Sequence, residues 1–184
     1  LRFAFWVIIQ HMLLIDKNCI DPALIQKYFL ETVRDDKDEQ QEEVVTAALE
    51  AILMIIPYIP DKAKVASTTY FDIFESAEDL SSSNTACTKV LESFINDCDI
   101  TDFVDEETFD LLIKHCRFPQ SSTREATYSL IMTLLKRRGL DIYNGFDFIE
   151  FMKKIVQILL LEEVQDLFRK GIKMIPTLND LMKV

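Results

Sequence analysis

Cysteine and histidine are the most reactive side chains of this sequence, and they are few. The cysteines are Cys19, Cys87, Cys98 and Cys116, and His115 adjoins the last of them. Neighbouring residues on a helix point about 100° apart, so His115 is badly placed to activate Cys116. Cys98 could approach His115 across a loop, but the sequence marks no third group that would orient the histidine. We therefore predict reduced cysteines packed in a core.

Metal and phosphate sites need ligands in close, ordered spacing, which this sequence does not provide. No two cysteines have the short separation that is usual for zinc ligands. A calcium loop built around Gly145 would place Leu140, Ile142 and Phe151, all apolar, where oxygen ligands are required. The 3 glycines of the chain are too few for a glycine-rich phosphate loop. The sequence predicts no metal, no cofactor and no catalytic residue, so this segment is not expected to be an enzyme.

The composition points to helices and away from most other folds. The chain has 184 residues, of which 49% are hydrophobic, but it has only 3 Gly and 5 Pro. β-Sandwiches and barrels need a turn about every 8–12 residues, and Gly and Pro usually supply these turns. Gly139 and Gly171 instead fall where helices are expected to end. We predict an all-α fold.

The charge balance is acidic. Lys and Arg number 20 and Asp and Glu number 31, which gives a net charge of −11. A nucleic-acid binder needs a basic stripe, whereas the cluster Lys136–Arg138 is expected at the end of a helix, where cations complement the helix dipole. We predict other proteins as partners and no nucleic acid. Reduced cysteines indicate the cytoplasm or the nucleus.

The spacing of the expected helix starts suggests a repeat. Helix pairs are expected to begin near Pro22, Asp61 and Asp105, at intervals of 39 and 44 residues. HEAT and armadillo repeats are about 40–47 residues long and contain two or three helices each. The predicted fold is a right-handed α-solenoid of HEAT/armadillo-like repeats, forming a single helical-repeat region over residues 1–184. A compact helical bundle is the alternative.

The first segment, Leu1–Ile15, is almost wholly apolar. A membrane-spanning helix needs about 18 or more apolar residues, and Gln10 and His11 interrupt this run. We therefore predict no membrane insertion. A helix that is apolar on all sides usually lies between neighbours. We expect the chain to be a fragment of a larger protein, with Leu1–Ile15 packed on a part outside the fragment.

A second segment carries a resemblance to known proteins. Ser121–Leu135 contains Arg124-Glu125-Ala126 and follows a shorter helix that includes Leu111–Cys116. This helix pair resembles those of armadillo/HEAT proteins, and more specifically the REA-type helices in the non-catalytic regions of very large ubiquitin-specific proteases. The resemblance covers about 30 of the 184 residues. It implies a scaffold segment that flanks a catalytic domain elsewhere in the parent protein. The catalytic cysteine and histidine boxes of that family are absent here, so it assigns no catalytic residue.

The predicted function is a non-catalytic protein–protein interaction scaffold. Stacked repeats present a curved surface on which peptides or domains of partners bind. A cargo- or partner-binding solenoid of a transport or trafficking factor is one alternative, and a compact helical enzyme domain is another. The sequence does not predict an oligomeric state. The candidate partner-binding residues, chosen for their expected exposure, are Arg124, Tyr128 and Lys136 on one helix and Asp35, Asp36 and Asp38 at a rim.

Overall fold

The computed structural model describes residues 1–34, 41–62, 82–97, 106–138 and 147–175, most of which are helical. No strand occurs within these ranges, which confirms the all-α prediction. The helices are α1 (Arg2–Ile15), α2 (Pro22–Arg34), α3 (Gln41–Ile55), α4 (Ser82–Asp97), α5 (Glu106–His115), α6 (Ser121–Arg138), α7 (Phe148–Leu160) and α8 (Gln165–Ile172). Contacts divide the chain into two compact units, Leu1–Asp99 and Ile100–Val184.

The predicted start of α2 is confirmed by its cap. The side-chain oxygen Oδ1 of Asp21 accepts a hydrogen bond of 2.9 Å from the amide of Ala23, and Pro22 occupies the first helical position. The start expected near Asp105 is confirmed by α5, which begins at Glu106, whereas the helix expected after Asp61 falls on residues outside the described ranges. The single repeat region over residues 1–184 therefore stays a prediction.

In the first unit, α3 is the helix around which the others pack. It contacts α1, α2 and α4, and its alanines allow close approach. The buried residues of α1, Trp6, Ile9 and Leu13, share one side of the helix. The buried residues of α3 are Ala47, Ala48, Leu49, Ala51, Ile52 and Ile55.

Polar side chains fix α1 against its neighbours. Nε2 of Gln10 donates to the carbonyl oxygen of Ala47 at 2.7 Å, which ties α1 to α3. Nε1 of Trp6 donates to Oγ1 of Thr32 at 3.3 Å, which ties α1 to α2. Gln10, which interrupts the apolar run in the sequence, therefore serves a packing role.

The second unit is built from α5, α6, α7 and α8. Helix α5 contacts α6 and α7, and α8 contacts α6 and α7. The rings of Phe109 on α5 and Phe151 on α7 meet edge to face with centroids 5.2 Å apart. Helix α7 begins where Oδ1 of Asp147 accepts a hydrogen bond of 2.9 Å from the amide of Glu150.

Gly171 is the last residue but one of α8, so this helix ends one residue later than predicted. It is buried against Leu159 of α7. A Cβ at this position would overlap Cδ2 of Leu159 and would also lie 3.1 Å from its Cγ. The glycine therefore permits the close approach of two helices. Gly139 falls outside the described residues.

We expect Gly171→Ala to lower the free energy of unfolding by about 1–3 kcal/mol, because the added methyl overpacks the contact with Leu159. Helix propensity alone would give the opposite sign, since alanine favours a helix by about 1 kcal/mol over glycine. Denaturant unfolding measures the change. The control is the double variant Gly171→Ala/Leu159→Ala, in which the smaller partner makes room. If the loss of unfolding free energy in the double variant equals the sum of the losses in the two single variants, the close contact between Gly171 and Leu159 is contradicted.

Candidate functional site

The candidate residue Arg124 forms a bidentate ion pair inside the second unit. Its Nε and Nη2 atoms donate to Oε2 and Oε1 of Glu162 at 2.9 and 2.8 Å. The side chains are largely removed from water, with 14% of Arg124 and 2% of Glu162 exposed. Arg124 is in the first turn of α6, whereas Glu162 follows the end of α7. The pair therefore joins two segments that are distant in sequence.

Other groups complete this network. Nη1 of Arg124 donates to the carbonyl oxygens of Phe118 and Pro119, both at 2.8 Å. Around the carboxylate of Glu162, the hydroxyl of Tyr128 donates to Oε2 at 3.3 Å and the amide of Val164 donates to Oε1 at 3.1 Å. One guanidinium thus holds both the connection before α6 and the connection after α7.

The network shifts the pKa values of its members. Burial alone would raise the pKa of Glu162, but the hydrogen bonds from Arg124, the Val164 amide and Tyr128 outweigh it and hold that pKa below its usual range. The hydrogen bond to Glu162 raises the pKa of Arg124. Burial, together with the nearby negative charge, raises the pKa of Tyr128. The pair is therefore charged and the tyrosine neutral at pH 7.

The exposure expected for the α6 candidates is partly wrong. Tyr128 is fully buried because its ring packs in the core and its hydroxyl reaches Glu162. Arg124 is mostly buried because it also pairs with Glu162. Lys136 is exposed, as expected. Sequence reasoning missed Glu162. No local signal identifies it, because Glu162 lies 38 residues from Arg124 and a polar pair one helical turn apart can equally face water.

The three acidic candidates, Asp35, Asp36 and Asp38, lie outside the described residues.

A cleft of about 680 Å³ lies beside the ion pair. Ser121, Gln157 and Leu161 contribute to its wall. Of the four charged residues that line it, Arg124 and Glu162 already satisfy one another, whereas Arg117 and Glu163 are exposed. Within the described ranges, no group of three or more His, Cys, Asp or Glu side chains is placed to hold a metal.

Of the two cysteines considered as a nucleophile beside His115, Cys116 is buried, as is His115 itself, and Cys98 lies outside the described residues. Burial raises the pKa of the Cys116 thiol, and of the Cys87 thiol, well above the usual range. The ring of His115 stacks on Phe118 with centroids 4.4 Å apart. A buried thiol of raised pKa is a poor nucleophile at neutral pH.

The surface that stands out is on α1, in the first unit. Four large apolar side chains, Phe5, Ile8, Met12 and Ile15, are exposed at intervals of 3, 4 and 3 residues, so they form one stripe along the helix. From Phe3 to Ile15 the chain has no Asp, Glu, Lys or Arg. Monomeric proteins rarely expose a continuous apolar patch of this kind unless it binds something.

Helix α2 extends this apolar surface. The ring of Tyr28 meets that of Phe5 edge to face with centroids 5.7 Å apart, and Leu24 lies one turn before Tyr28 and is also exposed. A groove of about 390 Å³ opens between the two helices, with Trp6 in its wall and Glu31 at its edge. We call the surface formed by Phe5, Ile8, Met12, Ile15, Leu24 and Tyr28 the α1–α2 face.

No helix in the described part of the chain has both the length and the apolar character needed to cross a membrane.

We expect Glu162→Gln to lower the free energy of unfolding by about 2–4 kcal/mol at pH 7, because it leaves the largely buried Arg124 charge without a counterion. The carboxyl has a lowered pKa in the folded state, so its stabilisation is present above the ordinary pKa of about 4.3 and disappears as the pH falls through the lower folded value. Denaturant unfolding should therefore show a difference in the free energy of unfolding between variant and wild type at pH 7, and this difference should disappear in acid.

The matched control for this prediction is Glu125→Gln. Glu125 pairs with Lys170 at 3.1 Å, but this pair is at the surface. Its loss should cost less than about 1 kcal/mol. Equal costs for the two variants would contradict the structural role of Glu162.

Thiol labelling tests the burial of the cysteines. Native protein treated with iodoacetamide should be modified at Cys19, which is exposed, whereas Cys87 and Cys116 should react only after unfolding. Peptide mass spectrometry locates the modified residues, and a denatured sample gives full labelling as the control. Rapid native labelling of Cys116 would reopen the enzyme alternative.

Comparison with known proteins gives no relative from which a role could be transferred. The chain matches no known protein family, no curated protein and no solved structure. The resemblance of Leu111–Leu135 to helices of large ubiquitin-specific proteases stays a prediction.

Proposed function

We propose that this chain is a non-catalytic protein–protein interaction scaffold that binds a helix of a partner chain on its α1–α2 face. The observation that carries the proposal is the exposed, uncharged apolar stripe of α1, which continues onto α2 at the contact of Phe5 with Tyr28. An amphipathic helix laid along this surface would bury apolar side chains of both partners.

The architecture that we propose around this face is a HEAT/armadillo-like solenoid. Two features support it. The expected helix starts are 39 and 44 residues apart, within or close to the repeat length of about 40–47 residues. The pair α1 and α2 packs on α3 with one side and leaves apolar side chains on another, as a helix pair does when it can stack on a further neighbour.

The cellular setting that we propose is a reducing compartment, the cytoplasm or nucleus, in a protein of the ubiquitin pathway. The exposed, unbonded thiol of Cys19 supports the compartment, because such thiols are usually oxidised or paired outside the cell. The pathway rests only on the resemblance of Leu111–Leu135.

A cargo-binding solenoid of a transport or trafficking factor is the second candidate. The net charge of −11 favours it, because an acidic protein attracts basic cargo. Binding of this kind weakens steeply as salt is added.

A designed amphipathic helix tests the proposal. The probe has leucine at heptad positions a and d and no net charge, and fluorescence polarisation measures its binding to dilute protein. We expect Ile8→Lys to weaken binding by about tenfold or more, because the lysine would be buried against the probe. The control Ile149→Lys should bind as the wild type does. Ile149 is 61% exposed and Ile8 58%, so the two variants carry the same change at similar exposure.

Two results would count against the scaffold proposal: no binding by the wild type, or equal loss in both variants. A lysine-rich peptide provides the comparison with the second candidate. Tighter binding of that peptide, lost as salt is raised, would favour the transport factor.

A further inference from the structure

We infer that the occupant of the α1–α2 face is a second copy of this chain, so that two α1 helices pack against each other in a symmetric dimer. The inference rests on the function proposed above, since it names the partner for the same face. Three properties of the face support this inference: the spacing of its apolar residues along α1, its lack of charge, and its area.

The spacing of the stripe is that of a two-helix seam. Phe5, Ile8, Met12 and Ile15 follow each other at 3, 4 and 3 residues, which are the a and d positions of a heptad. Side chains at these positions insert between those of a facing helix that has the same spacing. A second α1 has that spacing by identity, and two-fold dimers bury the same patch on both copies.

The lack of charge makes the face complementary to itself. A face meant for a charged partner would carry charges of the opposite sign, but α1 has none from Phe3 to Ile15. Glu31 and Arg2 both line the groove, and because their charges are opposite they give the groove no net charge. Two copies can therefore meet here without placing like charges opposite each other.

The area of the face suits a stable dimer. With roughly 150–200 Å² for a fully exposed large side chain, the exposed fractions of its six residues amount to about 550 Å² per copy. Two copies would bury about 1,100 Å² of apolar surface. Interfaces also bury a polar rim of about a third of their area, so the total would reach about 1,700 Å², close to the size of a standard stable interface.

The acidic residues outside the α1–α2 face determine how dimerisation depends on salt. Each copy has a net charge of −11, so two copies repel each other outside the face. Salt screens this repulsion, and we expect the dimer to tighten about three- to tenfold between low and high salt. An interface based on ion pairs would show the opposite trend.

Sedimentation velocity over a range of protein concentrations tests the inference. We expect the wild type to form a dimer, Ile8→Lys to be monomeric, and Ile149→Lys to dimerise as the wild type does. Ile15→Lys, at a side chain that is 88% exposed, repeats the test if Ile8→Lys disturbs folding, which circular dichroism detects. Persistence of the dimer in both α1 variants, or weakening by salt, would overturn the inference.

The helical probe separates the two proposals. If the wild type stays monomeric at all concentrations but binds the probe, the inferred dimer is wrong and the proposed scaffold function stands. A monomeric wild type that does not bind the probe overturns both. Competition between the probe and the dimer, with loss of both in Ile8→Lys, supports both.

Discussion

Packing around α3 determines how much of α1 can be buried. Among the described helices of the first unit, α3 contacts α1, α2 and α4, so α1 has access to only one side of it. That side takes Trp6, Ile9 and Leu13. A helix that is apolar around most of its circumference then keeps further apolar sides exposed, and each exposed side chain retains an unfavourable contact with water. The exposed α1–α2 face is therefore a consequence of the core rather than a feature added to it.

The second unit meets the opposite constraint, which is a charge taken out of water. A carboxylate as buried as that of Glu162 costs several kcal/mol unless it is paired and hydrogen-bonded. Arg124, Tyr128 and the Val164 amide provide these bonds. A partner that recruited Arg124 would have to break its two hydrogen bonds to Glu162. The buried carboxylate would then lack its counterion. Arg124 and Tyr128, which look available in the sequence, are thus already used inside the second unit.

The sequence predicted what local patterns determine. The scarcity of Gly and Pro indicated an all-α fold, and the helix start expected near Pro22 is that of α2. The burial of Tyr128 was beyond such patterns, because a polar pair one turn apart looks the same whether it faces water or a buried acid. Glu162 lies 38 residues from Arg124 and leaves no local trace. The sequence likewise showed that the first helix is apolar all round, but only packing on α3 decides which side stays exposed.

Charge and apolar area have separate roles in such a surface. Charges at the rim of an interface mainly affect the rate of association and its salt dependence, whereas buried apolar contacts mainly affect dissociation. The α1–α2 face has apolar residues at its centre, and the net charge of −11 is carried elsewhere in the chain. Long-range repulsion then discourages acidic proteins from approaching this surface. Selectivity at an uncharged face must come from shape, and the exposed side chains of α1 have the spacing of a heptad seam.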